Sequence, residues 1–82
     1  MTVEQLKKWS EGNNPLRIVE IKTKEHSRRG LFQGIQPDGS FIFLWIPGIA
    51  PEVKNIESFQ MEAIGVVMKY EAKDVLSIKE RG

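Results

Sequence analysis

The sequence predicts a mainly β domain, in which an N-terminal helix precedes a strongly bent, five-stranded antiparallel barrel. Three observations predict it. Residues 29–46 have the pattern of a β-hairpin, the outgoing strand of that hairpin is apolar on both faces, and a helix signal stands at the N-terminus. In a chain of 82 residues, a strand buried on both faces needs a closed barrel, a covering helix or a subunit interface.

The hairpin turns at residues 36–39, Gln-Pro-Asp-Gly. Pro37 fixes φ at the first corner of a type I turn, and Gly39 takes the position with positive φ. The outgoing strand places Phe41, Phe43 and Trp45 on one face and Ile42, Leu44 and Ile46 on the other. If the two strands pair without interruption, the first face also receives Leu31 and Ile35, and the second receives Phe32.

The N-terminal segment, residues 1–14, carries a helix pattern. Thr2 and Gln5 form a capping box, and the apolar residues that follow share one helical face: Val3, Leu6 and Trp9. Gly12 suits a left-handed cap, and Pro15 prevents the helix from continuing. Such a short helix must dock on the rest of the fold, so we expect it to cover one open end of the barrel.

The remaining strands follow from alternation and β-branched residues, and they complete a barrel over residues 16–80 in a single domain, 1–82. Residues 55–64 fit both strand and helical spacing, and we favour a strand because alternation continues after them. The other expected segments are a strand at 16–24, a turn at 24–28, a loop with two prolines at 47–51, and strands at 64–70 and 75–78 around a turn at 71–74.

Composition excludes several classes of protein. There is no cysteine, which rules out disulfides and thiol chemistry, and no apolar run reaches the ~18 residues of a membrane helix. The N-terminus is too polar for a signal peptide, so we expect a cytoplasmic protein. No catalytic motif is present, and His26 lacks a catalytic or metal-binding partner apart from Glu25. We therefore expect no enzymatic activity, no metal and no cofactor. We expect His26 to be a solvent-exposed residue of a turn.

The net charge is only +1, but its distribution is uneven. Residues 16–30 carry five cations against two carboxylates, and residues 31–82 are net negative. Two interpretations stay open for this basic segment: a solvated strand pair, or a patch that faces phosphates.

Two glycine-punctuated motifs resemble those of the Sm-like (LSm) family of small barrels, whose overall plan is close to that of SH3-like barrels. The first is Gly30-Leu-Phe-Gln-Gly-Ile35 with Ser40-Phe-Ile-Phe43, and the second is Gly65-Val-Val-Met-Lys-Tyr70 with Val75-Leu-Ser-Ile78. The resemblance implies a homo-oligomeric ring, formed by edge pairing of the last two strands, that binds single-stranded RNA without catalysis.

The basic segment and the resemblance together give the expected RNA-contacting positions. The basic segment is expected to engage phosphates through Lys22, Lys24, Arg28 and Arg29, and the turns of the two motifs to line the base site with Gln36, Ser40 and Lys73. The chain departs from the family there, since Gln36 and Ser40 replace an aspartate and an asparagine and the arginine–glycine pair of the second turn is absent. Bases could also stack on Phe41, Phe43 and Trp45, although we favour these rings as core or subunit interface.

A protein-interaction module that never meets RNA is the alternative function. The loop at 46–51 is the expected contact, with Ile49 exposed on a segment that has little backbone pairing.

Overall fold

The computed structural model describes residues 1–50, 52–56 and 65–80. Within these residues, a helix and five strands follow one another: α1 (Val3–Glu11), β1 (Val19–Thr23), β2 (Ser27–Ile35), β3 (Ser40–Trp45), β4 (Val66–Glu71) and β5 (Val75–Glu80). A 3-10 turn (Ala72–Asp74) joins the last two strands. The prediction of a mainly β protein with an N-terminal helix is confirmed. The favoured strand at 55–64 falls almost wholly outside the described residues.

Helix α1 begins as its sequence predicts. The Thr2 side chain accepts from the Gln5 amide, and the Gln5 side chain accepts from the Thr2 amide, which completes the capping box. Leu6 is fully buried, and Val3 and Trp9 pack against the same core. The predicted left-handed cap is wrong, because Gly12 has a φ of −96°. The helix also spans less of the chain than the predicted 1–14.

The strands form one antiparallel sheet in the order β4-β3-β2-β1-β5. Among the described residues, β4 pairs only with β3 and β5 only with β1, so the sheet is not closed into a barrel. The predicted closure is therefore wrong. The 3-10 turn carries the chain from one edge of the sheet to the other, and β5 takes its partner from β1.

The β2–β3 hairpin turns where predicted, and Gly39 has a φ of +88°. Its register, however, shifts at Gln33. Ile35 pairs with Phe41 and Gly34 with Ile42, but Phe32 then pairs with Phe43, so one residue of β2 has no partner. Gly34 accommodates this bulge with a φ of +128°, which is accessible to glycine.

The bulge reverses the predicted faces of β2. A shift of one residue moves every following side chain to the opposite face of the sheet. Phe32 therefore joins Phe41 and Phe43, while Leu31 pairs with Leu44 on the other face. The predicted placement of Leu31 and Phe32 is wrong, and that of Ile35 beside Phe41 is right.

Two apolar clusters lie on opposite faces of the sheet. The inner cluster is centred on Phe41 and Phe43, both fully buried, and helix α1 covers it. Each such ring removed from water stabilises the fold by roughly 1.5–3 kcal/mol. The outer cluster comprises Ile18, Leu31, Leu44, Ile46 and Ile56.

The loop that follows β3 covers the outer cluster. Ile49 and Val53 pack against it, and Ile56 is one of its members. Backbone hydrogen bonds hold the loop down, from Ile18 N to Lys54 O (2.7 Å) and from Ile56 N to Leu16 O (2.8 Å). The second apolar face thus needs neither the helix nor another subunit, which corrects that expectation. The expected exposure of Ile49 is also wrong, since Ile49 is half-buried.

Candidate nucleic-acid interface

The turn between β1 and β2 is built by Thr23. Its amide donates to the His26 carbonyl oxygen at 2.9 Å, and its hydroxyl oxygen accepts from the amides of Glu25 and His26, each at 3.3 Å. Threonine suits this task because its hydroxyl can satisfy local backbone groups. The turn therefore fixes the backbone of His26.

His26, Arg28, Trp45 and Tyr70 form one connected cluster, which we call the Tyr70 bridge. Arg28 Nη1 donates to Tyr70 Oη at 2.9 Å, and His26 Nε2 lies 3.1 Å from the same oxygen. The guanidinium carbon of Arg28 lies 4.2 Å from the centre of the Trp45 ring. Because β3 separates β2 from β4 in the sheet, the contact between Arg28 and Tyr70 joins two strands that are not neighbours.

The bridge corrects the prediction for His26. The side chain is half-buried rather than an exposed turn residue, and its ring centre lies 6.0 Å from that of Tyr70. The neighbouring Glu25 takes no part in the bridge. The residue that His26 contacts, Tyr70, lies 44 residues further along the chain.

Two open depressions flank the bridge. The first, here the arginine depression, has a volume of about 370 Å³. Arg28 and Arg29 lie in its wall with the Trp45 ring, and Ser27, Ile46, Gly48 and Ile49 complete the lining. None of these described lining residues is a carboxylate. The nearest acid in contact is Glu20, whose Oε2 lies 3.6 Å from Arg29 Nε in a partly exposed ion pair.

The second depression, here the turn depression, has a volume of about 380 Å³. Its lining mixes two lysines and two carboxylates with aromatic and apolar groups: Thr23, Lys24, Glu25, His26, Tyr70, Lys73, Asp74 and Leu76. Lys73 Nζ is 3.2 Å from Glu71 Oε2. The charges nearly balance here, so the arginine depression is the more electropositive of the two.

The expected RNA-contacting residues fall into separate groups. Arg28 and Arg29 meet at the arginine depression, and Lys24 and Lys73 meet at the turn depression. Lys22 is exposed on β1 and borders neither. The other two predicted residues belong to the β2–β3 turn.

Gln36 and Ser40 do not lie with Lys73. Gln36 borders a shallow depression against helix α1, together with Val3 and Lys7. Ser40 is buried, and its hydroxyl donates to Asp38 Oδ1 at 2.5 Å. The Ser40 hydroxyl is thereby committed to the turn, and the described structure assembles no single pocket from Gln36, Ser40 and Lys73.

Asp38, in the β2–β3 turn, has a lowered pKa. Hydrogen bonds from the side chain and then the backbone of Ser40 lower the pKa of Asp38 from 3.8 to about 2, and Lys69 at 3.4 Å adds to the effect. The turn therefore carries an ionised carboxylate at all ordinary pH values, which disfavours phosphate beside it.

Tyr70 is the residue that the sequence analysis missed. Its position in an alternating run gives its face but not its partners, which lie 42 and 44 residues away. The aromatic residues of β3 divide as expected only in part. Phe41 and Phe43 fill the core, which confirms the favoured interpretation for them, while Trp45 packs half-buried against the inner cluster and also lines the arginine depression.

The described ranges hold neither a metal-binding cluster nor a membrane-spanning helix. No group of three or more histidine, cysteine or acidic side chains there could hold a metal ion. No helix in the described part of the chain is long and apolar enough to cross a membrane.

Comparison with known proteins adds no family. No family model, curated protein or solved structure matches the chain.

Proposed function

We propose that this protein binds single-stranded RNA without catalysis, as an Sm-like or SH3-like small β fold that acts as a homo-oligomer. One observation carries the RNA part of the proposal: Arg28, Arg29 and Trp45 all line an open depression whose described lining has no carboxylate. Arginine donors suit phosphate oxygens, and bases stack on aromatic rings and on guanidinium planes. A depression of this composition fits a nucleotide better than a neutral small molecule.

The sequence of elements also supports the proposal. A helix followed by five strands of one antiparallel sheet agrees with the plan of an N-terminal helix and five antiparallel strands that the sequence predicts. Gly30, the first glycine of those motifs, lies where β2 and β3 approach most closely, since any side chain there would meet the Leu44 backbone.

Salt dependence tests the RNA part. Binding of a fluorescent single-stranded oligonucleotide, measured by anisotropy, should weaken steeply as salt rises because phosphate contacts release counterions. Arg29→Ala should reduce the slope of log K against log[salt] by about one. Arg29 is a better position for this test than Arg28, because Arg28 also donates a hydrogen bond to Tyr70.

Lys8→Ala is the matched control, since Lys8 is an exposed cation in the last turn of α1 and borders none of the described depressions around the bridge. It removes the same charge and should leave the slope unchanged. No detectable binding at low salt would refute RNA binding. An equal effect of Lys8→Ala would refute the assignment to the arginine depression.

The two edges of the sheet support the homo-oligomer. Strands β4 and β5 have no further strand beside them in the described structure, and each exposes apolar side chains: Val67 is 69% exposed and Leu76 57% exposed. Open edges with exposed apolar residues pair readily with another strand. Since the two edges differ, pairing β4 of one copy with β5 of the next is heterologous and can close a ring.

Light scattering tests the assembly. Val67→Lys and Leu76→Lys should each lower the molar mass in solution while the circular dichroism stays β-rich. Gln33→Lys is the control, because Gln33 is exposed on β2, which is inside the sheet rather than at an edge. A wild-type monomer at high micromolar concentration would refute the oligomer.

The alternative is a protein-interaction module without RNA, and the same open edges favour it. An extended segment of a partner could add to β4 or β5 through backbone hydrogen bonds. Its earlier support from Ile49 is gone, since that side chain packs on the outer cluster. Assembly at the edges combined with no affinity for any oligonucleotide would favour this alternative.

A further inference from the structure

We propose that His26 and Tyr70 are positioning residues that latch Arg28 while His26 is neutral and release it to phosphate when His26 takes up a proton. The inference rests on the proposed function, because it concerns regulation of the arginine depression. It accounts for the hydrogen bond by which Arg28, a cation suited to phosphate, donates to Tyr70 on a strand that is not its neighbour in the sheet.

The hydrogen inventory of the Tyr70 bridge gives the neutral state. Arginine can only donate, so Tyr70 Oη must accept from Arg28 Nη1. The single proton of the tyrosine hydroxyl is then available to His26 Nε2, 3.1 Å away. That requires an unprotonated Nε2, and a hydroxyl that donates in this way accepts more strongly from Arg28.

Protonation of His26 reverses these roles. An imidazolium has no acceptor nitrogen, so the tyrosine proton loses its partner and two cations converge on one oxygen. The other charged groups nearby do not offset the new charge, since the cations Lys24, Arg28 and Lys73 already stand against equal numbers of carboxylates, from Glu25, Asp74 and the Glu71 that pairs with Lys73. The charged and titratable groups that face the ring are Lys24 and Glu25 of its own turn, Arg28 of β2, Tyr70 of β4, and Lys73 and Asp74 of the 3-10 turn.

Release changes what Arg28 can offer. In the latched state Nη1 is committed to Tyr70 and the guanidinium face lies against Trp45. Once free of Tyr70, the same guanidinium can present two parallel donors to a phosphate, which is the stronger arrangement. RNA should therefore bind more tightly as the pH falls and His26 takes up a proton.

Two variants with opposite expected states test the latch. His26→Gln keeps an acceptor for the tyrosine proton but cannot gain a charge, so Arg28 should stay latched at every pH. Tyr70→Phe keeps the ring that packs on Phe41 but removes the hydroxyl, so Arg28 should be free at every pH. His26 still protonates in Tyr70→Phe, which separates the latch from a simple gain of charge.

Two measurements follow the latch. The first is the fluorescence of Trp45 against pH in a Trp9→Phe background, where Trp45 is the only tryptophan. The second is oligonucleotide affinity against pH and salt. In the otherwise unsubstituted protein, acidification should tighten binding about tenfold and steepen the salt slope by about one.

The expected pattern is a fluorescence transition that both variants lose. Affinity should stay weak at all pH values in His26→Gln and tight at all pH values in Tyr70→Phe. A transition that survives in Tyr70→Phe overturns the latch, as does an unchanged pH profile of affinity in either variant. If no RNA binds at all, the proposed function fails, and the fluorescence series alone still confirms or overturns the release of Arg28.

Discussion

Replacing Gly30 by alanine should be the most destabilising single-methyl change in the described sheet. A Cβ at Gly30 would overlap the carbonyl oxygen of Leu44 and lie 2.9 Å from its carbonyl carbon and 3.0 Å from Phe43 Cζ. The first two atoms belong to the paired backbone of β3, so no change of rotamer relieves the contact. The strands must separate or Phe43 must move.

The magnitude follows from the nature of that obstacle. Overpacking a core usually costs about 1–3 kcal/mol, and an obstacle made of backbone belongs at the top of that range or beyond it. At about 0.05–0.15 kcal/mol per residue, 82 residues give a free energy of unfolding of roughly 4–12 kcal/mol. A loss of about 3 kcal/mol is therefore a large fraction of it, and corresponds to a fall in Tm of roughly 12–24 °C.

Urea unfolding followed by tryptophan fluorescence measures the loss. Gly12→Ala is the matched control, because it makes the same change in the unfolded chain while its Cβ meets nothing within 4 Å. Gly12→Ala should stay within about 0.5 kcal/mol of the parent protein. If Gly30→Ala cost no more than Gly12→Ala, the close approach of β2 and β3 described here would be wrong.

Two further predictions concern the loops. Ser40→Ala should raise the pKa of Asp38 from about 2 towards 3.8 in a carbon-detected titration, stopping short because the Ser40 amide still donates to Asp38. Since the folded-state pKa of Asp38 is lowered, the ionised carboxylate stabilises the fold above pH ~4, and that contribution is lost as the pH falls towards 2. Ser40→Ala should therefore make the stability of the fold less sensitive to acid in this window. An unshifted titration of Asp38 would refute the hydrogen bonds as the cause. Ile49→Asp should lower the free energy of unfolding by about 1–3 kcal/mol, because it brings a carboxylate against the outer cluster. Pro47→Asp, at an exposed position of the same loop, is the control and should lower the free energy of unfolding by less. Equal stability of Ile49→Asp and the parent protein would show that the loop does not cover the cluster.

Local signals in the chain predicted most of the elements correctly. The capping box of Thr2 and Gln5 begins α1, and the turn at residues 36–39 joins β2 to β3 with Gly39 at positive φ. Both depend on neighbours within three or four residues, where backbone geometry and short hydrogen bonds decide the conformation. Alternation in the same way predicted β4 and β5.

The candidate site was only partly predictable, for a reason of distance along the chain. Arg28 and Arg29 were recognised by charge, and the structure places both at one depression. The partners of Arg28 were not recognised, since Trp45 and Tyr70 come from two other strands. No local sequence pattern predicts that the fold brings Arg28, Trp45 and Tyr70 together.

The sequence by itself determined where strands and turns form, while only the tertiary structure decided which face each side chain occupies. An extra residue at Gln33 sends Phe32 to the inner cluster and Leu31 to the outer one. Likewise, the loop at 46–51 was expected to expose Ile49, yet Ile49 and Val53 pack against the outer cluster and take the place of the helix or subunit that the outer face was expected to need. The physical reason is that alternation gives the faces of a strand only relative to its own neighbours. The pairing partner, and the segment that removes each face from water, are settled when all the strands meet.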